Sequence, residues 1–509
     1  MRKISRRQFI HRSSLLAAGT ALAAGCSNSN SNGSGSGSAQ HAIVIGSGFA
    51  GSVAALRLAQ AGVPVTVLER GQHWQSESAN VLAGSNGVAS GNTNPLPPVQ
   101  AGSEPPRNTG LLETISGETV SVQCGSCIGG GSLVYGGVLI QPRRETFRRL
   151  LPQISYDDMD NIYYPRVLGQ IGAAPIPDDV LDSPTYESHR VFIADSERAG
   201  FEVLRPNTSF DWDMVRQEIA GDIPPQVSIG NYAINGNIPA KRSTDKNYLR
   251  EAVQSGKAEV RGLTEVEMIR ELPTGYAVVC CRLSAAGEVL ERYELQCTHL
   301  FLAAGSMNSS KLLLKSQLAG ELKGANDRIG RGWGTNGDQL VANLASVPVA
   351  SPQGGPACIA SIDHGDPDYP ITSMHSPAPF TAQLQMLMST PDELGQLGYD
   401  PVSDKVQILW SPDGATPSAL ARRASFQRLL TASGGTEVNL PAFLGKTIWH
   451  PLGGTVMGDA CDNLGQLYGY RNLYVVDGSL LPGSAGAANP ALTVAANAER
   501  IMAAVAPRL

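Results

Sequence analysis

The chain has 509 residues, enough for two or three domains' worth of core, and 42% of them are hydrophobic. Only 17% are charged and the net charge is −6, which argues against nucleic acid as a partner, since a phosphate backbone needs a basic surface. The sequence contains no internal repeat and no uninterrupted apolar run of about 18 residues, so a membrane-spanning helix is not expected.

The N-terminus reads as a targeting segment. The Arg6-Arg7 pair followed by Phe9 is similar to a twin-arginine export signal, and the apolar stretch at 15–25 is too short to span a bilayer. Ala23, Ala24 and Gly25 before Cys26 are similar to a lipoprotein cleavage box, although Ala23 stands where a large aliphatic residue is usual. A lipidated Cys26 and an ordinary cleavable signal are both left open. Residues 27–39 are Ser, Asn and Gly with one Ala, a flexible linker with nothing to bury. A signal over 1–26, a linker over 27–39 and a folded part from residue 40 are expected. The protein is then periplasmic, on the cell surface (with peripheral or lipid-anchored membrane contact) or secreted.

The folded part opens with a β-branched run at 41–45, read as a buried strand. It leads into Gly46, Gly48 and Gly51, a helical pattern over 52–61, and a second strand over 65–68 that ends at Glu69. Strand, Gly-x-Gly-x-x-Gly, helix and acid together form a dinucleotide fingerprint in its required context. Gly46 permits the tight turn, Gly48 lets the backbone approach a pyrophosphate, and Gly51 lets helix and strand pack closely. The positive end of the helix favours the diphosphate, and Glu69 can accept hydrogen bonds from ribose hydroxyls.

Eight cysteines are present. Cys124 and Cys127 form a Cys-x-x-Cys pair in a Gly-rich turn, read as structural thiols or a disulfide, with a redox dithiol as the weaker alternative. No second such pair exists, so no metal site is expected. Cys280 and Cys281 are neighbours expected on opposite faces of a strand.

Near the C-terminus, His-Pro-Leu-Gly-Gly at 450–454 precedes a strand ending at Asp477, where Gly478 lets the chain approach a ligand. A helix is expected from Asn489 and Pro490 to about residue 505, its N-terminus suited to the electron-rich edge of a flavin. These blocks recur with others in one order: Ile-Gly-Gly-Gly-Ser-Leu-Val at 128–134, Asp-Lys-Asn-Tyr-Leu at 245–249, Leu-Phe-Leu-Ala-Ala-Gly-Ser at 300–306 and Gly-Trp-Gly-Thr-Asn-Gly at 332–337. As an ordered set they resemble the glucose-methanol-choline (GMC) family of flavin oxidoreductases, in its cholesterol oxidase branch, over nearly all of the chain after residue 40.

That resemblance implies a Rossmann-like FAD domain in a mixed α/β fold, with an inserted substrate domain built on an antiparallel or mixed sheet. The expected division is 40–150, 241–340 and 447–509 for FAD, and 151–240 and 341–446 for substrate. It implies His450 as the catalytic base and Asn489 as the residue that orients the substrate oxygen. Phe49, Ala50 and Glu69 fall where the family contacts adenosine and diphosphate, and Val266 where a strand holds adenine. Gly131, Tyr135, Gly136 and Val138 fall along the segment that passes the flavin, with Asp477, Gly478 and Ala491 at the isoalloxazine end. The physics agrees for His450: its ordinary pKa lies near neutrality, and general-base help is worth about 10²- to 10⁴-fold. For Asn489 a plain helix cap is the alternative. The segment 124–137 contains no histidine, so non-covalent FAD is expected.

Three departures from the family pattern stand out. The cholesterol oxidases carry a Glu, assigned to steroid isomerisation, where Met374 stands here; His375 is adjacent, but a one-residue offset inverts side-chain direction on a strand. Tyr135, Val138 and Ala491 stand where the family often has Asn, Met and Phe. The loop 483–489 has one extra residue. Alternating stretches at 380–388 and 406–410 are expected in a sheet that roofs the flavin.

The expected activity is oxidation of a hydrophobic secondary alcohol, foremost a sterol 3-hydroxyl, with O2 as acceptor and hydrogen peroxide as product. The rivals are a dehydrogenase passing electrons to a quinone or carrier, and a flavin-holding binding protein without turnover. A monomer is expected.

Overall fold

In the computed structural model of the protein, residues 41–74, 107–224, 238–345, 347, 349, 353–377, 382–410, 415–440 and 446–509 are described. The expected signal, linker and Cys26, and the first residues of the stretch 380–388, lie outside them.

Ala42–Ile45 is wholly buried and forms the centre of a five-stranded sheet. Val65–Leu68 and Ala258–Arg261 lie to one side, His299–Leu302 and Leu473–Val475 to the other, and every pairing is parallel. A parallel sheet needs cover on both faces, which suits three central strands that are buried throughout and apolar except for Thr66 and His299. Helix α1 (Phe49–Gln60) buries Val53, Leu56 and Leu58 in this core. Helix α2 (Gly305–Leu318) follows the strand His299–Leu302, and helix α3 (Pro490–Val505) packs against α1. Arg57 of α1 donates two hydrogen bonds, of 2.7 and 2.6 Å, to the fully buried Glu499 of α3. This fork ties the two ends of the folded chain together and leaves no bare charge in the core.

A second, six-stranded antiparallel sheet runs in the order Thr436–Glu437, Gln339–Leu344, Ala382–Met388, Ile371–Pro377, Ala360–Asp363, Glu202–Leu204. Helices Glu187–Arg198 and Pro417–Ser433 pack against it. The fold is therefore mixed α/β, with a dinucleotide-type parallel sheet and a separate antiparallel sheet.

The structure places two segments differently from the sequence reading and settles the state of the cysteines and of His375. Lys405–Leu409 is not in the large antiparallel sheet. It pairs with Gly395–Asp400 in a small sheet with Arg331–Trp333, because Val406 and Ile408 find their apolar partners in Val120, Val122, Trp333 and Ile448. Residues 156–171, assigned above to the substrate part, pack on α3, with Tyr164, Val167 and Ile171 inside the main core. Cys124 and Cys127 are free thiols rather than a disulfide, as are all seven cysteines among the described residues. Cys280 and Cys281 are both buried on the middle strand of three, Cys280 as part of the main core.

His375 packs on the helix Glu187–Arg198, on the side of its strand opposite to Met374, as the one-residue offset implies. Its ring stacks on Phe192 with centroids 4.8 Å apart, its Nε2 lies 3.0 Å from Ser188 Oγ, and its edge meets His189. Burial lowers the pKa of both histidines, that of His189 to about 4, with a smaller lowering from Arg190 at His189 and from His189 at His375. Their folded pKa values lie below the ordinary 6.5. The unfolded chain therefore takes up protons first: this contribution to stability is whole above about pH 6.5 and is lost as pH falls toward 4. We predict that His189→Gln flattens the decline in unfolding free energy between pH 6.5 and 5 by about 1.4 kcal/mol per pH unit relative to wild type. Parallel declines in urea titrations of the two proteins would contradict this.

Candidate active site

A cavity of about 740 Å³ lies between the ends of the parallel strands, helix α2 and the antiparallel sheet. Gly46, Gly48, Phe49, Ala50, Glu69, Gly131, Tyr135, Gly136, Val138, Val266, His450, Asp477, Gly478, Asn489 and Ala491 all line it. Gly51 does not, and its role is in packing.

The front wall is built by close backbone approach. Gly46 has φ +99°, and a Cβ there would sit 2.3 Å from Ala303 O. A Cβ on Gly51 would sit 2.0 Å from Gly46 O, so only glycine lets α1 start against the turn. Gly48 precedes α1 and touches Gly130, where a Cβ would come 2.7 Å from Gly48 Cα. The first turn of α1 holds no acidic residue, leaving its positive end open to an anion. Glu69 accepts from Ser47 N (3.0 Å), Ser47 Oγ (2.7 Å) and Gly71 N (3.0 Å), one Oε1 and one Oε2 cluster that fixes both oxygens. Burial raises its pKa against those three bonds.

The rear wall carries the polar chemistry. Asp338, with no exposed side-chain surface, accepts the backbone N–H of Trp449 (3.0 Å) and of His450 (2.9 Å) on one oxygen and His450 Nδ1 (2.8 Å) on the other. A carboxylate can only accept here, so Nδ1 carries the proton and Nε2 keeps its lone pair. Asn489 precedes α3, yet its side chain caps no helical N–H, and its buried Oδ1 has no partner. The helix-cap reading of Asn489 is thereby displaced. Asp477 lines the cavity, but its oxygens are taken by Gly305 N (2.8 Å), Ser309 Oγ (2.6 Å), Ser479 N (2.9 Å) and Ser479 Oγ (2.6 Å). It fastens the start of α2 to the C-terminal strand rather than offering a free acceptor.

The chain's residues 40–333 and 414–498 match the two halves of the family described as GMC oxidoreductase. The chain belongs to the GMC oxidoreductase family. It is 24% identical to a cholesterol oxidase from Acinetobacter baumannii over 551 aligned residues, covering 90% of this chain and 93% of that one. To a cholesterol oxidase from Mycobacterium tuberculosis (strain CDC 1551 / Oshkosh) it is 25% identical over 547 residues, covering 90% and 89%. Among solved structures it is similar in fold to pyridoxine 4-oxidase from Mesorbium loti, with TM-score 0.63, 17% identity and coverage of 92% and 99%. A fungal aryl-alcohol oxidase has the same TM-score at 13% identity, with coverage of 92% and 99%.

GMC oxidoreductases bind FAD, and the cavity fits that cofactor. Backbone contacts too close for a Cβ at Gly46, Gly51 and Gly130 draw the turn together at the start of α1, while the space beside Gly48 stays open for a pyrophosphate. At the far end Asn489 Oδ1 is a buried acceptor in want of a donor. Val266 and Leu312 of α2 both line the cavity. Tyr135 lines the middle, fixed by a 2.5 Å hydrogen bond to Ser209 Oγ and an edge contact with Phe49.

Above the rear wall the lining is apolar. Met374 and Met386 are paired across adjacent strands, Ser376 and Leu384 are paired next to them, and Leu340 and Ala357 extend the surface. Alternation along the strand puts Met374 in the cavity and His375 behind it. Sequence reasoning missed Asp338, whose only signal was an acid directly after the block 332–337. It also missed most of the roof residues, since a strand's partners cannot be read from its own alternation.

Two outcomes follow from this geometry. Gly51→Ala purifies without flavin, because its Cβ must displace the Gly46 carbonyl; a variant with a full flavin absorbance spectrum would contradict the packing argument. Asp338→Asn keeps the flavin but lowers turnover by about 10²-fold, since a neutral amide specifies the His450 tautomer poorly. Steady-state rates within threefold of wild type would refute that role.

Proposed function

We propose that this FAD-dependent alcohol oxidoreductase oxidises a hydrophobic secondary alcohol, foremost the 3-hydroxyl of a sterol, with O2 as acceptor and ketone and hydrogen peroxide as products. The observation that carries the reading is the pairing of His450, oriented by Asp338, with the unpartnered Asn489 beneath an apolar roof.

His450 Nε2 takes the proton of the substrate hydroxyl while the Asn489 side-chain N–H donates a hydrogen bond to the same oxygen, its Oδ1 being left to accept from another donor at the cavity. Asp338 stabilises the imidazolium that forms, at no desolvation cost during the reaction because its three bonds are already made. FAD, which the cavity lined by Gly46, Gly48, Tyr135 and Gly478 would hold, would supply a two-electron acceptor for the hydride of the carbinol carbon and a route for the electron pair to O2. Met374, Met386, Leu384 and Leu340 exclude water from the reacting carbon and offer a surface suited to a fused-ring alcohol. The two cholesterol oxidases named above support the sterol class, though at low identity.

Among the described residues, Met374 occupies the place of the family's isomerisation acid and His375 is buried behind it. The product from cholesterol is thus the unshifted enone. FAD is held without a covalent bond. Cys124 is the thiol in the cavity wall, and burial raises its pKa, keeping it protonated and a poor nucleophile. Export by the twin-arginine route, with the folded holoenzyme as cargo, is the proposal for localisation.

We predict that His450→Ala keeps its yellow colour but loses at least about 10²-fold in peroxide formation with its best alcohol. A panel from cholesterol to short alcohols, assayed for peroxide and for dye reduction, tests substrate and acceptor together. Unaltered turnover in His450→Ala removes the base. Dye reduction without oxygen uptake moves the protein to the dehydrogenases.

A further inference from the structure

We propose that Asn336 is a positioning residue: it clamps a strained loop so that Asn489 meets the substrate oxygen. The proposal rests on the reading of Asn489 given above.

Asn336 is fully buried and does not line the cavity. Its Oδ1 accepts from Ala485 N (2.9 Å) and Ser484 Oγ (3.2 Å), and its Nδ2 donates to Ala488 O (2.9 Å). Its backbone N–H donates to Gly483 O (3.0 Å). One residue thus holds the loop 483–488 at its start, near its middle and at its end, immediately before Asn489. Both hydrogen-bonding functions of the amide are used, so an aspartate would lose the bond to Ala488 and an alanine would lose all three side-chain bonds.

The loop needs holding. Gly483, Gly486 and Ala487 have φ of +67°, +83° and +57°. The glycines adopt these angles freely, whereas Ala487 has a Cβ and belongs to the few residues of its kind found there. Such backbone persists where its surroundings over-determine it, and it concentrates where geometry serves function. Ala487 lies two residues before Asn489 and is 5% exposed. If the clamp is released, Ala487 relaxes toward negative φ, and the turn into α3 that aims Asn489 rotates with it. The loop also holds the extra residue noted above against the family pattern, which gives the clamp something particular to this chain to control.

The same short turn therefore serves both polar groups of the site: Asn336 sets Asn489, and Asp338, two residues on, sets His450.

The test is a double-mutant cycle on the FAD-loaded enzyme, with Asn336→Ala, Asn489→Ala and the pair, using the alcohol that wild type oxidises best. Asn336→Ala is expected to lower kcat about tenfold or more with KM within threefold and flavin content intact. The double variant is expected to be no slower than Asn489→Ala alone, within about threefold, because Asn336 acts through Asn489. Adding Ala487→Gly to Asn336→Ala should restore kcat by about threefold or more and raise the melting temperature of the flavin-free protein, since glycine needs no clamp to keep positive φ. Should Asn336→Ala fold poorly, Asn336→Asp, which keeps the acceptor, carries the same cycle. Losses that multiply in the double variant, or an Asn336 variant with wild-type kcat, overturn the proposal while leaving Asn489 in place. Wild-type turnover in Asn489→Ala overturns the underlying reading instead.

Discussion

A carboxylate with no exposed surface is expensive unless its oxygens are fully used, and Asp338 uses both of its oxygens on one neighbour segment. Two backbone N–H groups and the imidazole of His450 converge on it, so the position, orientation and tautomer of that ring are decided together. The cost of burying the charge is met by three charge-assisted bonds, and the arrangement has little freedom to rearrange. Removing one partner leaves the others in an apolar setting, which makes the geometry close to all-or-none. The chemistry assigned to the cavity depends on this constraint more than on any feature of the cavity's shape.

The same logic recurs around the site at larger sequence separations. Glu499 receives Arg57 and the hydroxyl of Tyr248 (2.9 Å), joining segments from the start, middle and end of the folded chain. Asp477 receives four donors from α2 and from the residues just after its own strand. Glu499 and Asp477, fully engaged by their own chain, thus act as rivets, whereas Asn489 Oδ1 is left without a partner in the cavity wall. The contrast between saturated Asp477 and unpartnered Asn489, both in the cavity wall, separates structural from functional polarity at one site.

The front half of the site was legible in the sequence because its requirements are local. Glycine at 46 answers positive φ, and glycine at 46 and 51 answers backbone approach too close for a Cβ; both are expressed within a few residues of strand and helix. Helix α3 was legible to the residue, since Pro490 at its first position announces it. Strand alternation correctly separated the directions of Met374 and His375. It could not tell which sheet Lys405–Leu409 would join, because Val406 and Ile408 fit either and the choice was made by Trp333 and Ile448, far away in sequence. Asp338 and Asn336 were visible as residues and silent as partners. Their hydrogen bonds span 112 and up to 152 positions, and no pattern within the turn records them. The assignment of 156–171 failed for a related reason, as its apolar face is generic and only α3 determines where it lies.

The most direct measurement is anaerobic spectrophotometry of the purified full-length protein with a sterol alcohol. The account predicts a protein that is yellow as isolated or after FAD is added, that yields its flavin to the supernatant on acid precipitation, and whose visible absorbance is bleached by substrate. A colourless protein that takes up no flavin when offered it would contradict the account at its foundation.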